Sequence, residues 1–585
     1  MATRNSRPEA TFPPSYAALV AVVALLGGAC GDDPPRPGGG QSGPCVPLPA
    51  VERRLWRLSA EQWGQAVKDL LGLAAAPVLS NRGGQAAHAF FGDASLGVDE
   101  GFQFALYQAA QNEVLPEIAP RIAELAPCAG TAPPEQAACA QVFVETFGKR
   151  AFRRPLEAAE VTGLMGVYAQ GAMQSHDAGI ALLVQAIIIA PSFVYRTELG
   201  PPTLSPDESG KFPDTSLTPY EVASQLGFLF LGSVPDAALM AAAEDGSLAT
   251  DAGIASQIDR LLALPAVKEH LTGIVIDWFN VRQMFERNKK TSFFTVLPVG
   301  LQDQIAIAGE LLTATRLFVT DTLWANPAGT IDDLFTAQTV FLNRRLGALF
   351  PEVAFAGMAP TNEATFVKAT WPASQGRSGM LTQPAVLWSA SDPDLTSIVK
   401  RGKFIHDDVM CQDVLPPPVD LTTPMAMNVI ACKSPDGATS LSPCDSEVLQ
   451  SDARMLYQPC KTCHDQIDPY ARVLMNFGPI GNYRTSDEAV RPIDPTVTFP
   501  RGSVLASQEA TGAEAFGKAL VAAGIARGCA VQKVASYAIG NMIRTYNSCE
   551  LNQLRAQIRT DGTISSLFRG VALANFARAR AGGTK

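Results

Sequence analysis

Apolar side chains recur along most of this chain at intervals of three and four, the period of a helix with one buried face. Trp63, Ala66, Val67, Leu70 and Leu71 fall on one such face. Directly before them, Ser59-Ala-Glu-Gln62 has the form of a capping box. Ser59 is placed to accept from the third helical N–H, and Gln62 to reach back. A second helix is expected to open at Pro155 and turn Val161, Leu164, Met165 and Tyr168 inward. Thr218-Pro219-Tyr220-Glu221 sets a cap, a first-turn proline and a carboxylate ahead of the apolar run 222–231. Stretches 301–323 and 514–543 carry the same period. Alternating β-branched residues are scarce, so the fold class is mainly α, a multi-domain helical protein.

Breaks in the pattern divide the chain. Pro, Ser, Asp and Gly crowd 200–215, and 350–376 is irregular. Pro416-Pro417-Pro418 forms a stiff polyproline spacer. Polar, Cys-containing 425–451 is expected to be a loop. The units expected are helical modules over 49–200, a central helical domain over 216–349, a Pro-rich loop and small helical segment over 376–500, and a helical domain over 508–585.

The first residues give an address. Arg4 and Arg7 precede an apolar run, 17–29, which ends in Gly-Gly-Ala before Cys30. Such a run is shorter than the roughly 20 residues of a membrane-spanning helix, so 1–29 is expected to be a lipoprotein-type signal. Cys30 would carry the lipid, with 30–48 as a Gly/Pro-rich tether. The stretch 179–191 is also too short to span and is expected to be a buried helix. The implied place is the cell envelope (outer membrane, periplasmic or surface face), with the membrane touched through the anchor alone. Net charge is −10 over 585 residues. Loss of 1–29 makes it −11, which repels phosphate backbones and excludes nucleic acid as a partner.

One motif carries chemistry: Cys460-Lys461-Thr462-Cys463-His464. Two thiols three apart on a helix reach the two vinyl groups of one haem, and the next imidazole then lies under the iron. Pro459 precedes the thiols, as at a helix start. A local disulfide, a zinc half-site and a thioredoxin-like pair are the alternatives; zinc lacks a second Cys/His pair at ligand spacing, and the redox pair lacks a βαβ context. His464 is then the proximal ligand of one covalent haem c per chain. Met475, Met455 and His406 are candidates for the sixth position. Ile467, Leu474, Phe477 and Ile480 would wall the porphyrin, and Tyr483 and Arg484 would hold its propionates.

The chain also resembles a family: the modular exported proteins of planctomycetes and myxobacteria, whose helical domains of unassigned function precede a cytochrome-c-like segment. Arg54-Leu-Trp-Arg-Leu-Ser59 with Val67-Lys-Asp-Leu-Leu-Gly72 carries the first part of the likeness, and Phe147-Gly-Lys-Arg-Ala-Phe-Arg-Arg-Pro155 with Pro191-Ser-Phe-Val-Tyr-Arg196 the second. Arg377-Ser-Gly-Met-Leu-Thr-Gln383 with Val399-Lys-Arg-Gly402 carries the third, and the haem-type motif through Ile467-Asp-Pro469 to Tyr483-Arg484 the fourth. The C-terminal unit, with Cys529 and Tyr537-Ala-Ile-Gly540, is similar too. The resemblance implies a c-type haem domain and electron transfer. This chain has Arg454-Met455 where members often carry a His, Tyr470 where they carry Gly, and Gly478 where they carry Asp.

Eleven cysteines, less Cys30, Cys460 and Cys463, leave an even set for disulfides in an oxidising compartment. Cys128 with Cys139, and Cys432 with Cys444, flank turn-like loops as local staples. Cys45, Cys411, Cys529 and Cys549 would form two more, with partners that spacing does not assign. Ser397-Ile-Val-Lys400 has a Ser-x-x-Lys pattern without companion motifs, and Asp277-Trp278-Phe279 reads as a packing point. The function expected is electron transfer with an unknown redox partner. The rivals are a haem peroxidase or oxidase of an extracellular substrate, and a non-redox binding or scaffold lipoprotein whose Cys-x-x-Cys-His is structural.

Overall fold

A computed structural model describes residues 44–583, apart from 85–93, 326–328, 356, 413, 415–421, 434–435, 441–446, 489, 502 and 546. The expected signal and Cys30 therefore lie outside the described residues. Helices dominate, and the strands form antiparallel pairs of two.

Caps set the helix starts. Ser59 accepts from the Gln62 amide, and its own amide donates to the Gln62 side chain. The helix Ala60–Leu71 begins there and buries Trp63, Ala66, Val67, Leu70 and Leu71. Thr218 and Glu221 do the same for Pro219–Leu226. Three expectations need correction. The helix placed at Pro155 begins at Ala158, because the chain is still extended at Glu157. The run 514–543 is two helices, Gly512–Ala522 and Ile525–Ile539, parted where Gly524 turns left-handed at φ 70°. The stretch 425–451 holds two short helices, Pro424–Ile430 and Glu447–Arg454, as well as loop. Two turns are too few for periodicity to reveal them.

Buried apolar side chains gather into two large cores. One packs helices from the N-terminal third around Trp63, Phe102, Phe147 and Ile187. The other runs from Leu217 to Ala572 around Trp278, Phe335, Trp388 and Phe568. The π-helical turn Gly227–Leu231 stands between them, giving Phe228 to the first core and Leu229 and Phe230 to the second. The helix His176–Ile189, expected to be buried, lies in the first core. Among the described residues no helix is long and apolar enough to cross a membrane.

The C-terminal strand Ala579–Arg580 returns to pair with Thr215–Ser216. Nearby, buried Glu198 faces Arg54 at 2.7 Å, Arg580 at 2.9 Å and Arg196 at 3.6 Å. Burial opposes its charge, but the three guanidiniums prevail and hold the carboxyl below its usual range. Disulfides join Cys128 to Cys139, Cys45 to Cys549 and Cys411 to Cys529. Cys432 is disulfide-bonded as well, and its expected partner Cys444 lies outside the described residues.

Candidate functional site

The Cys-x-x-Cys-His run opens the helix Gln458–Arg472. Tyr457 is extended and Pro459 lies in the first turn, where its missing N–H would have no partner anyway. Cys460, Cys463 and His464 therefore stand at i, i+3 and i+4, on one face. Both cysteines are half-buried thiols, not half-cystines. The other cysteines of the described residues are all disulfide-bonded. Burial pushes the Cys460 thiol up, against the pull of the Arg454 guanidinium.

His464 is oriented from one turn further on. Its Nδ1 lies 2.8 Å from Oδ1 of Asp468, a carboxylate only 1% exposed. The other Asp468 oxygen accepts from the Ser451 hydroxyl, and Ser451 in turn accepts from Arg472 at 3.1 Å. An ionised carboxylate only accepts, so Nδ1 is the donor, and in the neutral imidazole the lone pair is then on Nε2. That is the tautomer a metal-binding histidine needs.

Arg454, the last residue of Glu447–Arg454, completes this end. It is largely buried, Glu447 lies 3.7 Å away, and among the described residues its Nε and Nη2 have no hydrogen-bond partner. A buried cation with idle N–H groups near the Cys460 thiol fits an anionic or hydrogen-bond-accepting group from outside the described residues. The residues present thus fit a covalent haem: two thiols, one oriented imidazole, one unmet guanidinium. Reading the sequence passed over Asp468, although its i+4 spacing from His464 was a usable signal. Arg454 was noticed only as a departure from histidine.

The remaining expected residues stand elsewhere. Met475 is buried with Ile398 and Ala471 in a small separate core. The helix from His464 to Arg472 puts about 12 Å between the imidazole and that end. Tyr483 sits edge-on to Phe477, ring centroids 5.9 Å apart. Arg484 donates to Glu488 at 2.6 Å, Thr396 at 2.8 Å and the Met475 carbonyl at 3.1 Å. The His406 Nε2–H donates to the Gln466 carbonyl at 3.0 Å, and burial lowers that imidazole's pKa. Met455 is half-buried in the turn before Tyr457. The structure therefore brings Cys460, Cys463 and His464 together and leaves Met475, Tyr483 and Arg484 past the other end of the helix.

What seats the helix explains several of the sequence stretches. The helix Ile398–Phe404 crosses it at Gly402, where a Cβ would lie 2.3 Å from Ile467 Cγ2 and 2.7 Å from its carbonyl oxygen. Arg401 donates to the carbonyls of Leu474, Phe477 and Gly478 at 2.7–2.9 Å and to Ser391 at 3.1 Å. Arg377 donates to Gln375, Thr382 and Gly481 at 2.7–3.0 Å and lies over the Trp371 ring. Tyr470 fills the core between His406 and Phe499. Ser397 caps Ile398–Phe404, which accounts for the Ser-x-x-Lys pattern. Trp278 and Phe279 are buried where Pro265–Trp278 ends, as packing requires. Among the described residues no cluster of three or more His, Cys, Asp or Glu could hold a metal ion.

Three family models match consecutive parts of the chain. PSD5, a protein of unknown function (DUF1595), matches 139–198; PSD4, a protein of unknown function (DUF1592), matches 217–351. PSCyt3, a protein of unknown function (DUF1588), matches 377–487, which holds Arg377, Arg401 and the Cys-x-x-Cys-His run. No curated protein and no solved structure matches. Over three segments in this order the chain is similar to the planctomycete cytochrome-c-like group of domains, whose functions are unassigned.

Proposed function

We propose that residues 447–484 seat one covalent c-type haem and that the protein exchanges single electrons with a separate redox partner. The protein would work outside the cytoplasm, tethered through a lipid on Cys30. The observation that carries this reading is the helical face of Cys460, Cys463 and His464: two uncross-linked thiols beside an imidazole held in the ligating tautomer. The haem, when bound, supplies the one-electron couple. Cys460 and Cys463 would hold it through thioether bonds to its two vinyl groups. His464 would offer Nε2, Asp468 and Ser451 would hold the ring's direction, and Arg454 would set a positive charge near the thioether edge. The disulfides joining Cys45, Cys128 and Cys411 to their partners support an oxidising compartment.

A second reading, peroxide chemistry, is favoured by the Asp468 contact. A carboxylate on Nδ1 makes the imidazole more basic and favours ferric iron. A high-spin optical spectrum would support it, and a low-spin spectrum supports electron transfer. The first test is pyridine haemochrome analysis after co-expression with a haem-attachment system. One covalent haem per chain is expected, lost when Cys460→Ala and Cys463→Ala are combined. A wild-type chain that takes up no covalent haem ends both haem readings.

A further inference from the structure

A cleft of about 930 Å³ opens where the N-terminal helices meet the central ones, with Tyr537 of Ile525–Ile539 on its wall. None of its lining belongs to the haem-type segment, and its size is that of a ligand site. Two polar groups in the lining have nothing to bond. Ser233 is 1% exposed, and its hydroxyl has no partner. His270 donates to the Leu229 carbonyl, and its buried Nε2 has no partner. Burial pushes this imidazole down to about 4, so at neutral pH it offers a lone pair and no charge. Gly232, at φ 66°, lets the His270 ring pack directly on the backbone beside Ser233: a Cβ there would lie 2.5 Å from that ring. Gly232 closes the π-helical turn Gly227–Leu231, a distortion often found at functional sites.

Six of the nine carboxylates and guanidiniums lining the cleft come in opposed pairs, and Asp236 is taken up by Arg260 behind the wall, which leaves Asp69 and Arg150, one of each sign. Glu61 pairs with Arg82, Glu269 with Arg316, and Asp277 with Arg282 at 2.6 Å. An ionic ligand of either sign meets its like charge beside each opposite one, and an apolar ligand would take water from all six groups without replacing its hydrogen bonds. Hydroxyl groups are different. Each both donates and accepts, so neighbouring hydroxyls match a carboxylate set beside a guanidinium, and a further one meets Ser233 and His270. We infer that this cleft binds an uncharged oligosaccharide of two or three sugar units. The inference is independent of the haem reading.

Calorimetric titration of the full chain with maltotriose, cellotriose, xylotriose and mannotriose tests it, with trigalacturonate and trilysine as the anionic and cationic controls. At least one neutral trisaccharide is expected to bind, with both charged probes about tenfold weaker or more. Ser233→Val and the surface change Glu269→Gln should each weaken that binding about tenfold while leaving the thermal unfolding curve in place. The Cys460→Ala/Cys463→Ala chain should bind as wild type does. Binding of none of the four sugars overturns the inference. So does equal binding of a charged probe, or sugar binding that neither Ser233→Val nor Glu269→Gln weakens.

Discussion

The two ends of the helix Gln458–Arg472 place arginines in opposite circumstances. Past its C-terminal end, Arg401 and Arg377 are fully buried, and their guanidiniums are taken up by the carbonyls and side chains of Ser391, Thr382, Leu474, Phe477, Gly478 and Gly481. Of their nitrogens, only Arg401 Nε is idle. Before its N-terminal end, Arg454 is nearly as buried, yet two of its three nitrogens have no hydrogen-bond partner. A buried cation satisfied by its own backbone is a structural tie. One left without a hydrogen-bond partner among the described residues, near a half-buried thiol, ties nothing together and leaves its N–H groups for a bound group.

Four measurements test that contrast. Arg401→Leu should be the most damaging, because it strips donors from three buried carbonyls; a loss of about 3–5 kcal/mol is expected in urea unfolding. Replacing Cys411 and Cys529 together by serine should lower stability by about 2–4 kcal/mol, read in the same way. That disulfide ties the base of the segment to Ile525–Ile539, not the thiol end, so haem attachment should survive. Asp468→Asn should make the haem easier to reduce. About a tenfold change in the reduced-to-oxidised ratio at fixed potential is expected, equal to 59 mV for one electron in a redox titration. Arg454→Met should change the stability of the haem-free chain by no more than about 1 kcal/mol. It should make the haem harder to reduce, by removing a nearby positive charge. If Arg454→Met instead unfolds the chain as readily as Arg401→Leu, the contrast between the two ends is wrong.

Legibility in the sequence followed the range of the interaction. The caps at Ser59 and Thr218, the buried stripe from Trp63 to Leu71, the spacing of Cys460, Cys463 and His464, and the Cys128–Cys139 staple all lie within a few turns. Each could be read directly. Gly524 splits a helix whose hydrophobic period continues across it, so the period concealed the break. The pairings of Cys45 and Cys411 depend on how distant segments close, which no spacing encodes. Arg401 stands in the stretch Val399-Lys-Arg-Gly402 that carries part of the family likeness, but its reason, a set of carbonyls more than 70 positions away, exists only in the folded chain. Asp468 was the reverse case: local, readable and overlooked. The oligosaccharide cleft draws on segments near 60, 82, 233, 270 and 537, and no single stretch announces it.

The bond between Cys45 and Cys549 has a mechanical consequence. It spans 504 positions, and beside it the Val46 amide donates to Asn547 while the Cys549 amide donates to Val46. Tension applied through the residues before Cys45 would therefore reach Cys549–Ile558 directly and bypass everything between. Pulled between the residues before Cys45 and those after Cys549, the chain should act as a closed ring hung from one point. Its interior modules stay slack until a sulfur–sulfur bond is cut.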